Sequence, residues 1–276
     1  MDKIKTTHVG SLPRSKKLSE ILFKKDKNEL FDQGELDKII EEDVNKIVKK
    51  QIDIGIDIIS DGEMSKISYA TYVKDRLHGF SGESERRAPK DLDDFPSYKE
   101  KIAKSGGTPT YTRPCCTADL KIKDTKSLTK DISNLKSALK KNNHSQGFIN
   151  SASPGVISNF LPNKFYKNDD DYLEALSKIM KTEYDEITKN DLLLQIDCPD
   201  LALARHMTFK NVSDEEFLVR AEKQIECLNE AIKDIDASKL RMHICWGNYE
   251  GPHIHDIGLE KILPIALKAN IQTYLI

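Results

Sequence analysis

Residues 192–200 read LLLQIDCPD. A short apolar run closed by an acid and a proline has the length and composition of a strand in a parallel sheet. Asp197 stands at its exit. A carboxylate there is costly to bury unless a ligand or a partner meets it.

The same rhythm extends outward in both directions. Further strand candidates are 4–9, 54–60, part of 110–120, 147–151, 240–245 and 271–276, besides 192–197 itself. Between them lie apolar stripes at helical spacing, such as Leu36, Ile39, Ile40, Val44, Ile47 and Val48, or Phe217, Leu218, Ala221, Ile225, Leu228 and Ile232. Strands alternating with amphipathic helices predict βα units, and no GxGxxG follows the first strand to mark a dinucleotide fold. The expected architecture is therefore α/β, a (β/α)8 TIM-type barrel filling residues 1–276 as one domain. With about seven of its eight βα units counted, strand eight and its helices are expected to be missing, leaving open edges through which chains could self-associate. Residues 80–109, polar and rich in Gly and Pro, are expected to form a long loop over the active-site face.

Composition narrows the class. The chain has 276 residues and a formal net charge of −2, with no basic stripe, which argues against a nucleic-acid partner. No apolar run approaches the roughly 18 residues of a membrane span, and the N-terminus shows no secretory h-region. Five scattered cysteines do not resemble a disulfide framework. The expectation is a cytoplasmic, enzyme-sized domain.

Four strand exits carry chemistry. In RMHICWGNYEGPHIHD (241–256), His243 and Cys245 alternate onto one side of a strand, giving half of a zinc site or, equally simply, a buried thiol beside a hydrogen-bonded histidine. IISDGEMS (58–65) places Asp61 and Glu63 on one face, or is a polar glycine turn. THVGSLPR (7–14) offers N–H groups and a hydroxyl at Gly10 and Ser11, or is an ordinary strand-to-loop turn. Asp197 is the fourth. In a barrel all of these converge on one mouth. Arg205 and His206, in the loop after Asp197, are left out of the site, Arg205 being read as half of a surface ion pair.

TTHVGSLPRS, DIISDGEMS, RPCCTADL, ASPGVISNFLPN, LLLQIDCPDLAL and MHICWGNYEGPHIHD, in that order along the chain, resemble the cobalamin-independent methionine synthase family, in particular its single-barrel branch. The resemblance implies a (β/α)8 barrel, zinc, and methyl transfer from polyglutamylated 5-methyltetrahydrofolate to homocysteine. It implies zinc ligands at His243 and Cys245. It places the amino-acid end of homocysteine on Val9, Gly10 and Ser11, with its ammonium on Glu63 and Asp197. Cys116 falls near the folate-contacting segment, and Phe160 stands where the full-length enzymes carry a pterin-stacking tryptophan. Cys198 and Leu203 replace acids of the family, which keeps open a corrinoid or other methyl donor on the same zinc-thiol scaffold. The family's glutamate and second cysteine ligands, and its proton-donating histidine, are expected beyond Ile276. An inactive shortened homologue and a metal-free decarboxylase on a related scaffold are the remaining alternatives, the His-x-Cys pair arguing against the latter.

Overall fold

The computed structural model describes residues 4–86, 88–104, 111–247 and 251–276. Arg87 and 105–109 of the excursion, residue 110 of a strand candidate, and Asn248, Tyr249 and Glu250 of the 241–256 motif lie outside these. In chain order the elements are α1 (Lys16–Asp26), α2 (Gln33–Asp53), β1 (Ile59–Ser60), α3 (Val73–Arg76), β2 (Leu77–Ser81), α4 (Asp91–Asp94), α5 (Pro96–Lys104), β3 (Cys115–Ile122) and α6 (Lys126–Lys141). There follow β4 (Gly147–Ala152), α7 (Pro154–Phe160), α8 (Asp169–Lys189), β5 (Leu193–Asp197), α9 (Asp214–Ile232), β6 (Leu240–His243), α10 (Leu259–Ala266) and β7 (Thr273–Leu275).

Helix starts are written in the sequence. Ser15, Asp32, Ser153 and Asn168 each cap a helix by accepting a backbone N–H, and Ser213 with Glu216 forms a full capping box at α9. Each cap satisfies donors that a first turn leaves open, so α7 and α9 begin at defined residues directly after strand-exit loops. The apolar stripes of α2, α6, α8 and α9 then bury against the sheet, joining Ile149, Leu194, Ile196 and Met242 in one core.

Five strands form a parallel sheet in the order β1-β4-β5-β6-β7. A single parallel bridge, Thr7 to Ile58, adds the first segment beside β1. The structure departs from three expectations. The candidate at 110–120 becomes β3, which pairs antiparallel with β2 in a separate two-stranded ribbon. Thr117, Ala118, Asp119, Lys121 and Ile122 are exposed and only Cys115, Cys116 and Leu120 are buried, which suits a half-wet ribbon and not a parallel strand covered on both faces. The count of about seven βα units is therefore not met: among the described residues the parallel sheet has five strands and one bridging residue. The excursion at 80–109 is also more than a loop, since it carries the end of β2 and helices α4 and α5.

The sheet is strongly curled. Arg241 on β6 reaches across its concave face to donate to Thr7 Oγ1 at 3.1 Å, and its guanidinium covers the Phe148 ring at 4.1 Å. Register aligns Asn150 with Gln195 and Arg241, and Ala152 with Asp197 and His243. Residues in register on parallel strands share a side, so Asn150, Gln195, Asp197, Arg241 and His243 face the concave side, while Ile149, Ser151, Ile196, Met242 and Ile244 face the helices, where Ser151 donates to Glu183 of α8 at 2.6 Å.

Candidate functional site

Strand exits bring exposed Ser11 together with buried Glu63, Asn150 and Asp197 in one network. Ser11 Oγ donates to Glu63 Oε2 at 2.5 Å. The Asn150 amide donates to Glu63 Oε1 at 2.9 Å and to Asp197 Oδ2 at 2.7 Å, and Gln195 donates to Asp197 Oδ1 at 2.8 Å. All four carboxylate oxygens thus have a donor. Buried Lys66 holds Asn150 from behind, contacting both its backbone carbonyl and, at 3.0 Å, its side-chain oxygen.

Local backbone geometry aims Glu63. Gly62 and Glu63 both take left-handed conformations, with φ of 66° and 58°, and Asp61 Oδ1 accepts the Glu63 N–H at 2.9 Å. A non-glycine residue pays steric strain there, of order 1–2 kcal/mol, so the Asp61 turn and the Arg14 bonds to the Glu63 and Lys66 carbonyls hold what local preference disfavours. Asp61 therefore acts on the loop, and Glu63 faces the site. Gly10, at φ 78°, turns the first segment so that the Leu12 N–H reaches the Gly62 carbonyl at 3.0 Å, which sets Val9, Gly10 and Ser11 alongside.

Both site acids are pushed above the usual carboxylate range. For Glu63 the cause is burial first and then the nearby Asp197 charge; for Asp197 it is burial, partly offset by the Asn150 and Gln195 hydrogen bonds. Two buried acids that resist ionising side by side can take up a cation, since an incoming ammonium would relieve the repulsion.

His243 is the register partner of Asp197 on the adjacent strand, and Cys245 follows two residues on. Both are half-buried. His243 Nδ1 faces the Leu275 carbonyl at 3.4 Å, which calls for a proton on Nδ1 and leaves Nε2 as the lone-pair donor. The Gly247 N–H points at Cys245 Sγ at 3.2 Å, a contact that favours thiolate, although burial as a whole pushes this thiol up. Imidazole Nε2 and a thiol supported by an N–H suit zinc in chemistry and tautomer. Among the described residues no group of three metal-ligating donors includes either of them, so they account for two ligands where a catalytic zinc takes three.

Phe160 and Cys116 lie apart from this row. Phe160, at the end of α7, packs edge-on against Tyr69 with centroids 5.8 Å apart and carries the Arg113 guanidinium over its ring at 4.8 Å. It lines a cleft of about 530 Å³ with Arg113, Cys115, Lys164 and Leu203. Cys116 is buried, with its thiol toward the Ala118 carbonyl at 3.5 Å, and its neighbour Cys115 lines the cleft instead. Burial pushes the Cys116 thiol up to about 11. Cys198 and Leu203 latch the loop after β5 to β6 through their N–H groups, to the His243 carbonyl at 2.7 Å and the Cys245 carbonyl at 3.2 Å. Arg205 pairs with Asp214 at 2.8 Å, as an ion pair.

Sequence reasoning missed Asn150, Gln195, Lys66 and Arg241. A signal existed for three of them: GFINSA, LLLQID and LRMH each hold one long polar residue inside an apolar strand, at positions that register side by side. Lys66 carries no such signal, because nothing in EMSKIS marks its side chain as buried.

Comparison with known proteins agrees with this geometry. A sequence model of the catalytic domain of cobalamin-independent synthases matches residues 4–260. Curated relatives include the methionine synthase of Sulfolobus acidocaldarius, 25% identical over 266 residues, covering 95% of this chain and 68% of that protein. The methionine synthase of Saccharolobus solfataricus is 24% identical over 260 residues, with 93% and 68% covered. Among solved structures, a B12-independent methionine synthase from a Shewanella species in complex with selenomethionine aligns with a TM-score of 0.64 at 19% identity, covering 88% of this chain and 64% of that one. The putative B12-independent methionine synthase of Listeria monocytogenes aligns at 0.60 with 20% identity, covering 90% and 68%. No described helix is long and apolar enough to cross a membrane.

Proposed function

Because the chain belongs to the family of cobalamin-independent synthase catalytic domains, we propose that it moves a methyl group from 5-methyltetrahydropteroyltriglutamate to the thiol of homocysteine, giving methionine. The curled sheet is then part of a (β/α)8 barrel, and the concave row of strand exits is its mouth.

One observation carries the reading. Asp197 and His243 are register partners, so the cation-receiving acids and the His–Cys pair lie one strand apart, about 4.8 Å. An amino acid with two methylenes between its α-carbon and its sulfur spans that gap. Its ammonium would sit between Glu63 and Asp197, and its carboxylate against the Gly10 and Ser11 turn. Its sulfur would then reach His243 and Cys245. Zinc held by those two side chains would keep the substrate sulfur as thiolate at neutral pH, where a free thiol, with a pKa of about 8.5, is mostly protonated. The chain's own residues fix the geometry: the ammonium site is built before substrate arrives, which holds the thiol in line for attack. In the transfer the S–C bond forms, the N5–C bond of the folate breaks, and N5 takes a proton.

The pterin would enter the cleft lined by Phe160 and Arg113, a ring face and a guanidinium that suit a flat heterocycle with an anionic tail. The Cys116 backbone ties the ribbon behind that cleft to the loop after α7, through the Pro162 carbonyl and the Lys164 N–H. A folate donor is favoured over a corrinoid, since the matching family is described as cobalamin-independent. The five cysteines, all free, suit a reducing cytoplasm.

The test is methionine formation by the zinc-supplemented chain from homocysteine and 5-methyltetrahydropteroyltriglutamate, with methylcobalamin as the alternative donor. Folate-dependent turnover that falls at least about a hundredfold in Asp197→Asn is expected. Turnover with methylcobalamin alone would replace the donor, and no methionine from either would overturn the activity.

A further inference from the structure

The HIHD run at 253–256 and His206 have no part in the methyl-transfer site, yet they meet in one place. Asp91 at the start of α4, His206 from the loop after β5 and Asp256 from the loop after β6 bring one donor atom each within 4.8 Å of one another. Asp91 and His206 are buried, and Asp256 is partly so. His206 Nδ1 lies 2.9 Å from Asp91 Oδ2 and 3.3 Å from Asp256 Oδ1. The other Asp91 oxygen accepts the Ile254 and His255 N–H groups at 2.8 and 2.9 Å. Asp256 also faces His253 Nδ1 at 3.0 Å, and the His206 and His253 rings have centroids 6.0 Å apart.

We infer that Asp91, His206 and Asp256 hold a divalent transition-metal cation, separate from the one assigned to His243 and Cys245, that pins α4 to the loops after β5 and β6. Charge supports this: two carboxylates and a neutral imidazole sum to −2, which a divalent ion balances. The donor atoms converge: His206 Nδ1 faces one oxygen of each carboxylate, and the Asp256 oxygen also faces His253 Nδ1 at 3.3 Å. Geometry supports it too. With metal–ligand bonds of about 2.1 Å, separations of 2.9 and 3.3 Å correspond to ligand–metal–ligand angles of roughly 90° and 105°, within the octahedral-to-tetrahedral range. Imidazole with carboxylates and no sulfur selects zinc, manganese or iron rather than a thiophilic ion, and the nitrogen disfavours calcium. His253 stands where a small ring movement would add a second nitrogen.

The cation would staple the excursion to the rim of the mouth. The Lys90 N–H already donates to the His206 carbonyl at 2.9 Å, and His255 Nε2 meets Asp94 at 2.5 Å, so the same elements are joined on both flanks.

The probe is Co2+ titrated into the metal-free chain carrying His243→Ala and Cys245→Ala, so that the other site contributes nothing. The expected result is one equivalent of Co2+ with d–d absorption, no thiolate charge-transfer band, and affinity at least about tenfold weaker after Asp256→Asn is added. Asp91→Asn also disturbs two backbone hydrogen bonds, so Asp256→Asn and His206→Gln are the deciding variants. No Co2+ bound by the double variant, or binding indifferent to both of those substitutions, would overturn the inference. A thiolate band missing from the unsubstituted chain would count against His243 and Cys245 alone.

Discussion

Glu63 and Asp197 sit in a web where each carboxylate oxygen has a donor, whereas the His243 and Cys245 side chains, one strand away, have one backbone hydrogen bond apiece among the described residues. The first pair is held in place by the fold itself; the second is positioned by the strand but left with donor capacity to spare. A site that must hold a charged amino acid rigidly and then present its sulfur to a second substrate needs this division. Rigidity belongs at the amine end, and an open coordination position at the sulfur end.

The contrast is most vulnerable at Asn150. Replacing it with Leu removes the one side chain that donates to both acids and leaves two buried carboxylates without that partner. Chemical denaturation is expected to show a loss of about 2–4 kcal/mol. A loss under about 0.5 kcal/mol would mean the web is incidental.

A third buried acid differs by having no such web. Asp200 accepts from Ser153 Oγ at 2.8 Å, and burial raises its carboxyl to about 7. The folded state then binds a proton that the unfolded state, titrating near 3.9, has released. Stability should therefore fall as pH rises from about 4 to about 7, with the full cost, on the order of a few kcal/mol, present above 7. Asp200→Asn removes the titrating group, and melting curves from pH 5 to 8 should flatten in that variant. An unchanged slope would contradict the assignment.

His243→Ala and Cys245→Ala should behave oppositely to Asn150→Leu. Half-buried side chains with a single hydrogen bond each should change metal-free stability by no more than about 0.5 kcal/mol, while bound zinc falls by one equivalent per chain, leaving only what Asp91, His206 and Asp256 hold. A strongly destabilised metal-free variant would show that the pair is structural. The smallest effect on turnover belongs to Phe160→Trp. A larger ring between Tyr69 and Arg113 should lower the folate KM several-fold, worth about 0.5–1 kcal/mol, with kcat little changed.

The positions of Asp197, His243 and Cys245 were legible because each stands at the end of an apolar run, where alternation fixes the facing side; Glu63 is aimed by a left-handed turn that alternation does not contain. The helices were legible from caps such as Ser213 with Glu216 and from stripes such as that of α2. The excursion was not, because DLDD and PSYKEKIAK are short and polar and gain their order from tertiary contacts such as Asp91 with Ile254 and His255. Strand β3 was misplaced for a related reason: CCTADLKI satisfies a strand propensity, and its partner, LHGFS, was never counted as a strand. Asn150 and Lys66 show the deeper limit. Their importance arises from a meeting of residues 84 positions apart, which no local window contains.

The most direct measurement is calorimetric binding of L-homocysteine and of 4-mercaptobutyrate, which keeps the carboxylate and thiol but lacks the ammonium, to the zinc-supplemented chain. If Glu63 and Asp197 receive the ammonium, homocysteine should bind at least about a hundredfold more tightly. That preference should collapse in the Glu63→Gln, Asp197→Asn double variant. Equal binding of the two thiols by the unsubstituted chain would contradict the account at its centre.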